Sequence, residues 1–107
     1  MLGRIEISTT GIAIKLPIEL MREGDRVVVY THALDLCGYG KTPEDAKKDF
    51  GAAVKIFFEE TLEHKTLDEA LEALGWKKVG LPMQQCWEPQ VELISSSLPL
   101  EEITIPA

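Results

Sequence analysis

The residues best equipped for chemistry fall in one short stretch, Leu34 to Phe50, which reads LDLCGYGKTPEDAKKDF. Just before it stands His32, five positions ahead of Cys37. A thiol beside an imidazole is a nucleophile–base pair, and Asp35 is the one nearby carboxylate to orient the base. Gly38-Tyr39-Gly40 ahead of a helix start invites comparison with loops that hold phosphate on backbone amides. Both patterns are incomplete. There is no GxGxxG, Gly40-Lys41-Thr42 does not follow the four-residue loop of a phosphate-binding Gly-Lys-Thr, and Pro43 removes one N–H donor. The plainer reading is a strand-to-helix corner in which the glycines let the chain turn sharply. In that reading Cys37 is a small core residue and His32 an exposed side chain at a strand end.

Acidic side chains offer a second chemistry, divalent-metal nuclease action, which needs several carboxylates converging on one ion. The candidates are Glu6 and Glu19 on strands, Asp35 in the loop, and Asp45 and Asp49 on the following helix. Glu6 and Glu19 occupy outward, polar positions of their strands, so a solvated face fits better. Zinc needs about four ligands at recognisable spacing; Cys37 and Cys86 are far apart, and His32 and His64 do not complete a set. Neither a catalytic residue, a metal ligand nor a cofactor-binding residue is assigned. Trp76 beside Lys77-Lys78 could stack on a base, but more often such a tryptophan plugs the end of a core.

The elements that would position these residues follow from hydrophobic period. "RIEIST" alternates apolar and polar residues, and after Gly11 the alternation resumes at Ile12, Ile14, Leu16, Ile18 and Leu20. Pro17 cannot donate to a ladder, so that strand has a free side or a bulge there. "REGD" is a hairpin turn, and the Val-Val-Val-Tyr run after it reads as a central strand covered on both faces. A third short strand covers "DLCGYG". Thr42-Pro43-Glu44-Asp45 starts a helix: a capping hydroxyl, proline at the first position, and negative charge at the positive end of the dipole. Its apolar face is read as Ala46, Phe50, Ala53, Val54, Phe57, Thr61 and Leu62. Thr66-x-x-Glu69 reads as a capping box for a second helix carrying Leu67, Ala70, Leu71 and Leu74, closed by Gly75. "WKKVG" is a further strand, and the tail holds two alternating segments, "QVELIS" and "EEITIP".

The chain has 107 residues, one domain by size, with 11 Lys plus Arg against 18 Asp plus Glu and a formal net charge of -7. Such a chain repels a nucleic-acid backbone unless its cations cluster, and Lys47-Lys48 and Lys77-Lys78 are the only adjacent pairs. Nucleic-acid binding by this chain alone is therefore not expected, whereas a basic protein partner suits the charge. No apolar run approaches a membrane span, and "MLGRIEIS" lacks the pattern of a secretory signal, so a cytoplasmic location is expected.

The order of elements and the corner "VVVYTHALDLCGYGKTPEDAKKDF" resemble the HicB family of antitoxin-like proteins. Leu34, Gly38, Gly40, Thr42, Glu44 and Ala46 carry the match as a structural corner motif, with Ala33 and Asp35 beside them. The likeness runs from about residue 10 to 80. Where many members have proline, this chain has His32, and the tail from Leu81 to Ala107 resembles neither the helix-turn-helix nor the ribbon-helix-helix of DNA-binding members. The resemblance implies a reduced ribonuclease-H-like fold without the catalytic acids. It also implies a non-catalytic protein-binding module, acting alone or in a toxin–antitoxin system, that masks a small basic RNA-cleaving toxin. The alternative is a homo-oligomeric structural or regulatory protein with no toxin partner.

The expected fold is thus α+β: a small antiparallel β-sheet in β-β-β-α-α-β order with a helix on one face. Residues 1–80 form the core domain and 81–107 an extended tail with short strands. Apolar tail strands seek a sheet edge, so the tail is expected to build a homodimer, with folding back onto its own sheet as the competing outcome.

Overall fold

The structure, a computed structural model, describes residues 3–81, 84–89 and 99–106. The chain runs β1 (Arg4–Ser8), β2 (Gly11–Pro17), β3 (Glu19–Glu23), β4 (Arg26–Thr31), β5 (Leu36–Gly40), α1 (Pro43–Glu63), α2 (Leu67–Ala73), β6 (Trp76–Leu81), β7 (Gln84–Pro89) and β8 (Leu100–Pro106). The described residues make an α+β fold with two helices and antiparallel pairing throughout, but in two sheets rather than the single one expected. The larger has the order β6-β7-β1-β2-β8 and the smaller β3-β4-β5.

The second sheet arises at Pro17. The expected single strand from Ile12 to Leu20 breaks there, and its two halves serve different sheets. Pro17 has no N–H to give a ladder. Its carbonyl instead accepts the hydroxyl of Thr31 at 2.9 Å, and the next amide, Ile18 N–H, donates to Pro99 O at 2.9 Å. Thr31 is fully buried, so this bond satisfies a side chain that would otherwise carry a desolvation cost.

In the stretch expected to be a tail with short strands, the described residues form β7 and β8. β7 pairs with β1 through Ile5↔Trp87, and β8 pairs with β2 from Gly11↔Pro106 to Pro17↔Leu100. A boundary at residue 80 would cut the β6–β7 ladder and divide the large sheet, and β8 closes onto its own β2. The segment "QVELIS" lies outside the described residues.

Helix α1 begins as its residues dictate: Thr42 Oγ1 accepts the Asp45 amide at 3.1 Å, with proline in the first turn. Its core face is Ala46, Phe50, Val54 and Phe58, a strict four-residue spacing. Ala46, Phe50 and Val54 lie there as expected, but Phe58 joins them where Phe57 was expected, Phe57 is only partly buried and Leu62 is 46% exposed. Thr66 makes no side-chain cap for α2, so the capping box does not form, although Leu67 and Leu71 are buried as expected. Gly75 ends α2 with φ +93°, a conformation glycine tolerates.

The glycines of β5 have a different reason from the one expected. Neither Gly38 nor Gly40 adopts positive φ. A Cβ on Gly38 would fall on the Phe50 amide nitrogen and within 2.5 Å of its Cα, and one on Gly40 would lie 2.5 Å from the Ala46 amide. They are glycines because the backbone of α1 rests directly on β5. Gly38→Ala should therefore cost about 4 kcal/mol or more, by denaturant melt. Gly51→Ala, with open space around it inside the helix, should gain up to about 1 kcal/mol.

Truncating the core face gives a second check. Phe50→Ala and Phe58→Ala should each cost about 3–5 kcal/mol, and Phe57→Ala clearly less. Equal losses at Phe57 and Phe58 would mean that the helix is rotated about its axis.

Candidate functional site

Two of the sequence candidates, Glu19 and Cys37, lie on the outer face of the small sheet, the face away from α1. Antiparallel register sets opposed residues on the same face. Glu19, Tyr30 and Cys37 form one cross-strand row, and Met21, Val28 and Tyr39 the next. Glu23 opposes Arg26 at the hairpin end, 3.4 Å from its guanidinium. That guanidinium stands over the Tyr39 ring, 4.4 Å from its centroid, a cation–π contact.

The polar groups here engage one another. Tyr30 hydroxyl donates to Asp35 Oδ1 at 2.8 Å, and His32 Nδ1 lies 3.5 Å from the same hydroxyl. Asp35 reaches Tyr30 from a left-handed conformation, φ +53°, at the end of the loop. Cys37 thiol donates to Tyr39 hydroxyl at 3.2 Å. Asp49, from α1, accepts the Tyr39 backbone N–H at 2.8 Å. The thiol and the imidazole thus hold different tyrosines, and the pair considered from sequence is not brought together as nucleophile and base.

The acidic candidates are dispersed. Glu6 is on the large sheet, bound to Arg4 Nε at 2.7 Å. Asp35 and Asp49 have the partners just described, and Asp45 is exposed in the first turn of α1. Among the described residues no three His, Cys, Asp or Glu side chains are grouped to hold a metal ion.

The corner motif occupies structural places. Leu34 is buried, Gly38 and Gly40 meet α1, Thr42 caps it, Ala46 is its first buried residue, and Glu44 is exposed. Trp76, 1% exposed, is a core plug whose Nε1 donates to Ala33 O at 2.8 Å, tying the corner to the large sheet. Lys78 is held by Asp68 at 2.9 Å and lies over the buried Trp87 ring.

Sequence reasoning missed two arrangements. Arg4 joins β1 to β7, donating to Glu6 and Glu88 at 2.7 Å each and to Cys86 Sγ at 3.3 Å, which gives Cys86 its place. The alternation of β1 could have put Arg4 and Glu6 on one face, but not the partner strand. The Arg26–Tyr39 stack needed the β4–β5 register, which no local pattern announces.

No protein-family model, curated protein or solved structure matches the chain.

Both phenols ionise above the ordinary tyrosine range. For Tyr30 the leading cause is its hydrogen bond to Asp35, then partial desolvation. For Tyr39 it is the hydrogen bond with Cys37, then the charge of the thiolate form and desolvation, with Arg26 pulling downward. A raised folded pKa means that the contribution is complete below the unfolded value, about 10, and is lost as pH rises through the folded value. In an ultraviolet titration, Asp35→Asn should move the Tyr30 phenol down toward its ordinary value and leave Tyr39 in place. Two unchanged titrations would mean that the Tyr30–Asp35 bond does not form.

Proposed function

We propose that this chain is a non-catalytic protein-binding domain of the HicB type, one that covers and masks a small basic RNA-cleaving protein. The unit β3-β4-β5-α1 is the part to compare with a reduced ribonuclease-H-like fold: three consecutive antiparallel strands, then a helix on one face. The observation that carries the reading is how the corner spends its reactive groups. The Tyr30 and Tyr39 hydroxyls, the Cys37 thiol and the Asp35 and Asp49 carboxylates each have a local partner that fixes the loop, strand or helix.

What faces outward is a contact surface. Met21, Tyr39 and the Arg26 guanidinium are side chains of the kinds enriched at the centres of protein interfaces. They lie on a chain of net charge -7, so a basic partner is drawn in faster and an acidic one is repelled.

Co-expression with a small basic protein encoded beside this chain tests the reading. A complex should form, weaken as salt rises, and suppress RNA cleavage by the partner. The chain alone, with magnesium or manganese, should leave RNA and an RNA–DNA hybrid intact, and should not retard DNA at physiological salt. Cleavage abolished by Asp35→Asn or Asp49→Asn would replace the binding reading with an enzymatic one.

A further inference from the structure

The last strand of a sheet turns N–H and C=O groups outward, and these recruit other strands unless charge or proline in the strand blunts the edge. Among the described residues the two sheets end in β3, β5, β6 and β8. Three of these carry charges of their own: Glu19, Arg22 and Glu23 in β3, Lys77 and Lys78 in β6, and Glu101 and Glu102 in β8. β5 does not. Its residues, Leu36, Cys37, Gly38, Tyr39 and Gly40, include neither a charged side chain nor a proline. The strand with the least protection in its own residues is the one on which the α1 backbone rests.

The charge comes from the helix instead. Tyr39 opposes Val28 of β4, yet its backbone N–H runs to Asp49 Oδ2 at 2.8 Å. In an antiparallel pair each residue turns its N–H and C=O to one side, and the next residue turns them to the other. Tyr39 therefore turns away from β4, and Cys37, two positions earlier, turns the same way. Asp49 occupies the donor that an added strand would need. A hydrogen bond to a carboxylate is about twice as strong as one between neutral groups, so an incoming carbonyl is the weaker acceptor. Asp49 is exposed, so its charge stays hydrated while it holds the amide. It precedes Phe50, whose ring is fully buried and whose backbone lies against Gly38, and this fixes the carboxylate at the edge.

We infer that Asp49 is an edge guard: by occupying the Tyr39 amide it keeps β5 from adding an extended segment of another copy of this chain. The excluded occupant is a second copy because the residues of β5 are compatible with themselves. An antiparallel β5 pair centred on Gly38 sets Cys37 opposite Tyr39 and Gly38 opposite Gly38, and it opposes no like charges. The barrier to that pairing rests on one side chain of α1. The guard goes beyond the proposed function and does not depend on it, because it acts on the edge of the sheet whereas the partner meets the outer face.

The test compares the full wild-type chain with Asp49→Ala, Asp49→Asn and the double variant Asp49→Ala with Tyr39→Pro. Light scattering at tens to hundreds of micromolar gives the mass, and amide hydrogen exchange shows which strand is covered. Asparagine keeps a carbonyl for the Tyr39 amide, whereas alanine releases it. Proline at position 39 has no N–H to offer an added strand. Asp49→Ala should raise the mean mass over wild type by about twofold or more, and the Cys37 and Tyr39 amides should exchange more slowly as concentration rises. Asp49→Asn should stay near wild type, and the double variant should return to it. A second double variant, Asp49→Ala with Cys37→Lys, gives the strand the charge it lacks and should also return to wild type, so the test does not hang on the fold accepting proline. The inference falls if Asp49→Ala keeps the wild-type mass, or if Asp49→Asn associates as fully as Asp49→Ala. It also falls if neither double variant lowers the mass, or if association leaves exchange at Cys37 and Tyr39 unchanged, because a chain that has merely lost stability aggregates in that way.

Discussion

The approach of α1 to β5 is the constraint on which the rest depends. A helix normally stands off a sheet by the thickness of two layers of side chains. Here Gly38 and Gly40 remove one layer, and the backbone at Ala46 and Phe50 settles onto the strand. That contact sets the depth at which Phe50, Val54 and Phe58 enter the core. It also brings Asp49 to the β5 edge, where it takes the Tyr39 amide. A single Cβ at Gly38 would move all of these together, because interiors are close-packed and transmit strain.

Two further ties make the sheets one body. Pro17 and Ile18 pass the chain from β2 to β3 while their polar groups are taken by Thr31 and Pro99. Trp76, from the first strand after the helices, fills the core and bonds back to Ala33 in the corner loop. The corner is therefore held from three sides: by α1, by the sheet crossing and by the indole. A loop so fixed presents its outer side chains in one arrangement, which lowers the ordering cost of binding.

Charge divides the surface by role. On the large sheet, Arg4 is saturated by Glu6 and Glu88, and Lys15 is near Glu102. Arg4–Glu6 lies within β1, and the other two pairs span neighbouring strands. At the small sheet, among the described residues, Glu19 has no cation within ion-pair distance, and Glu23 pairs with the exposed Arg26. Glu19 thus lies on an exposed strand beside an aromatic–arginine stack. That juxtaposition, rather than any reactive group, is the chemical character of this face.

Much of this was legible in the residues. The strand periods, the Val-Val-Val-Tyr strand at the centre of the small sheet, and the Thr42-Pro43 helix start are local properties. A capping hydroxyl or a two-residue alternation acts within a few positions of itself. The burial of Trp76 was also legible, since a large apolar ring beside a helix stop has few better places. On α1 the core positions Ala46, Phe50 and Val54 were legible, but Phe57 was read in place of Phe58, because the two rings are adjacent and only the strands beneath decide which is covered. The thiol, imidazole and carboxylate near the corner had the right types for chemistry. Local contacts decided otherwise: Cys37 bonds Tyr39 and His32 approaches Tyr30, each two positions away, and Asp35 takes the Tyr30 hydroxyl from the loop. The split into two sheets, the return of β8 onto β2 and the reason for the two β5 glycines were decided by tertiary structure alone. Each depends on contacts between residues far apart in the chain, and such contacts leave no periodic trace in the sequence.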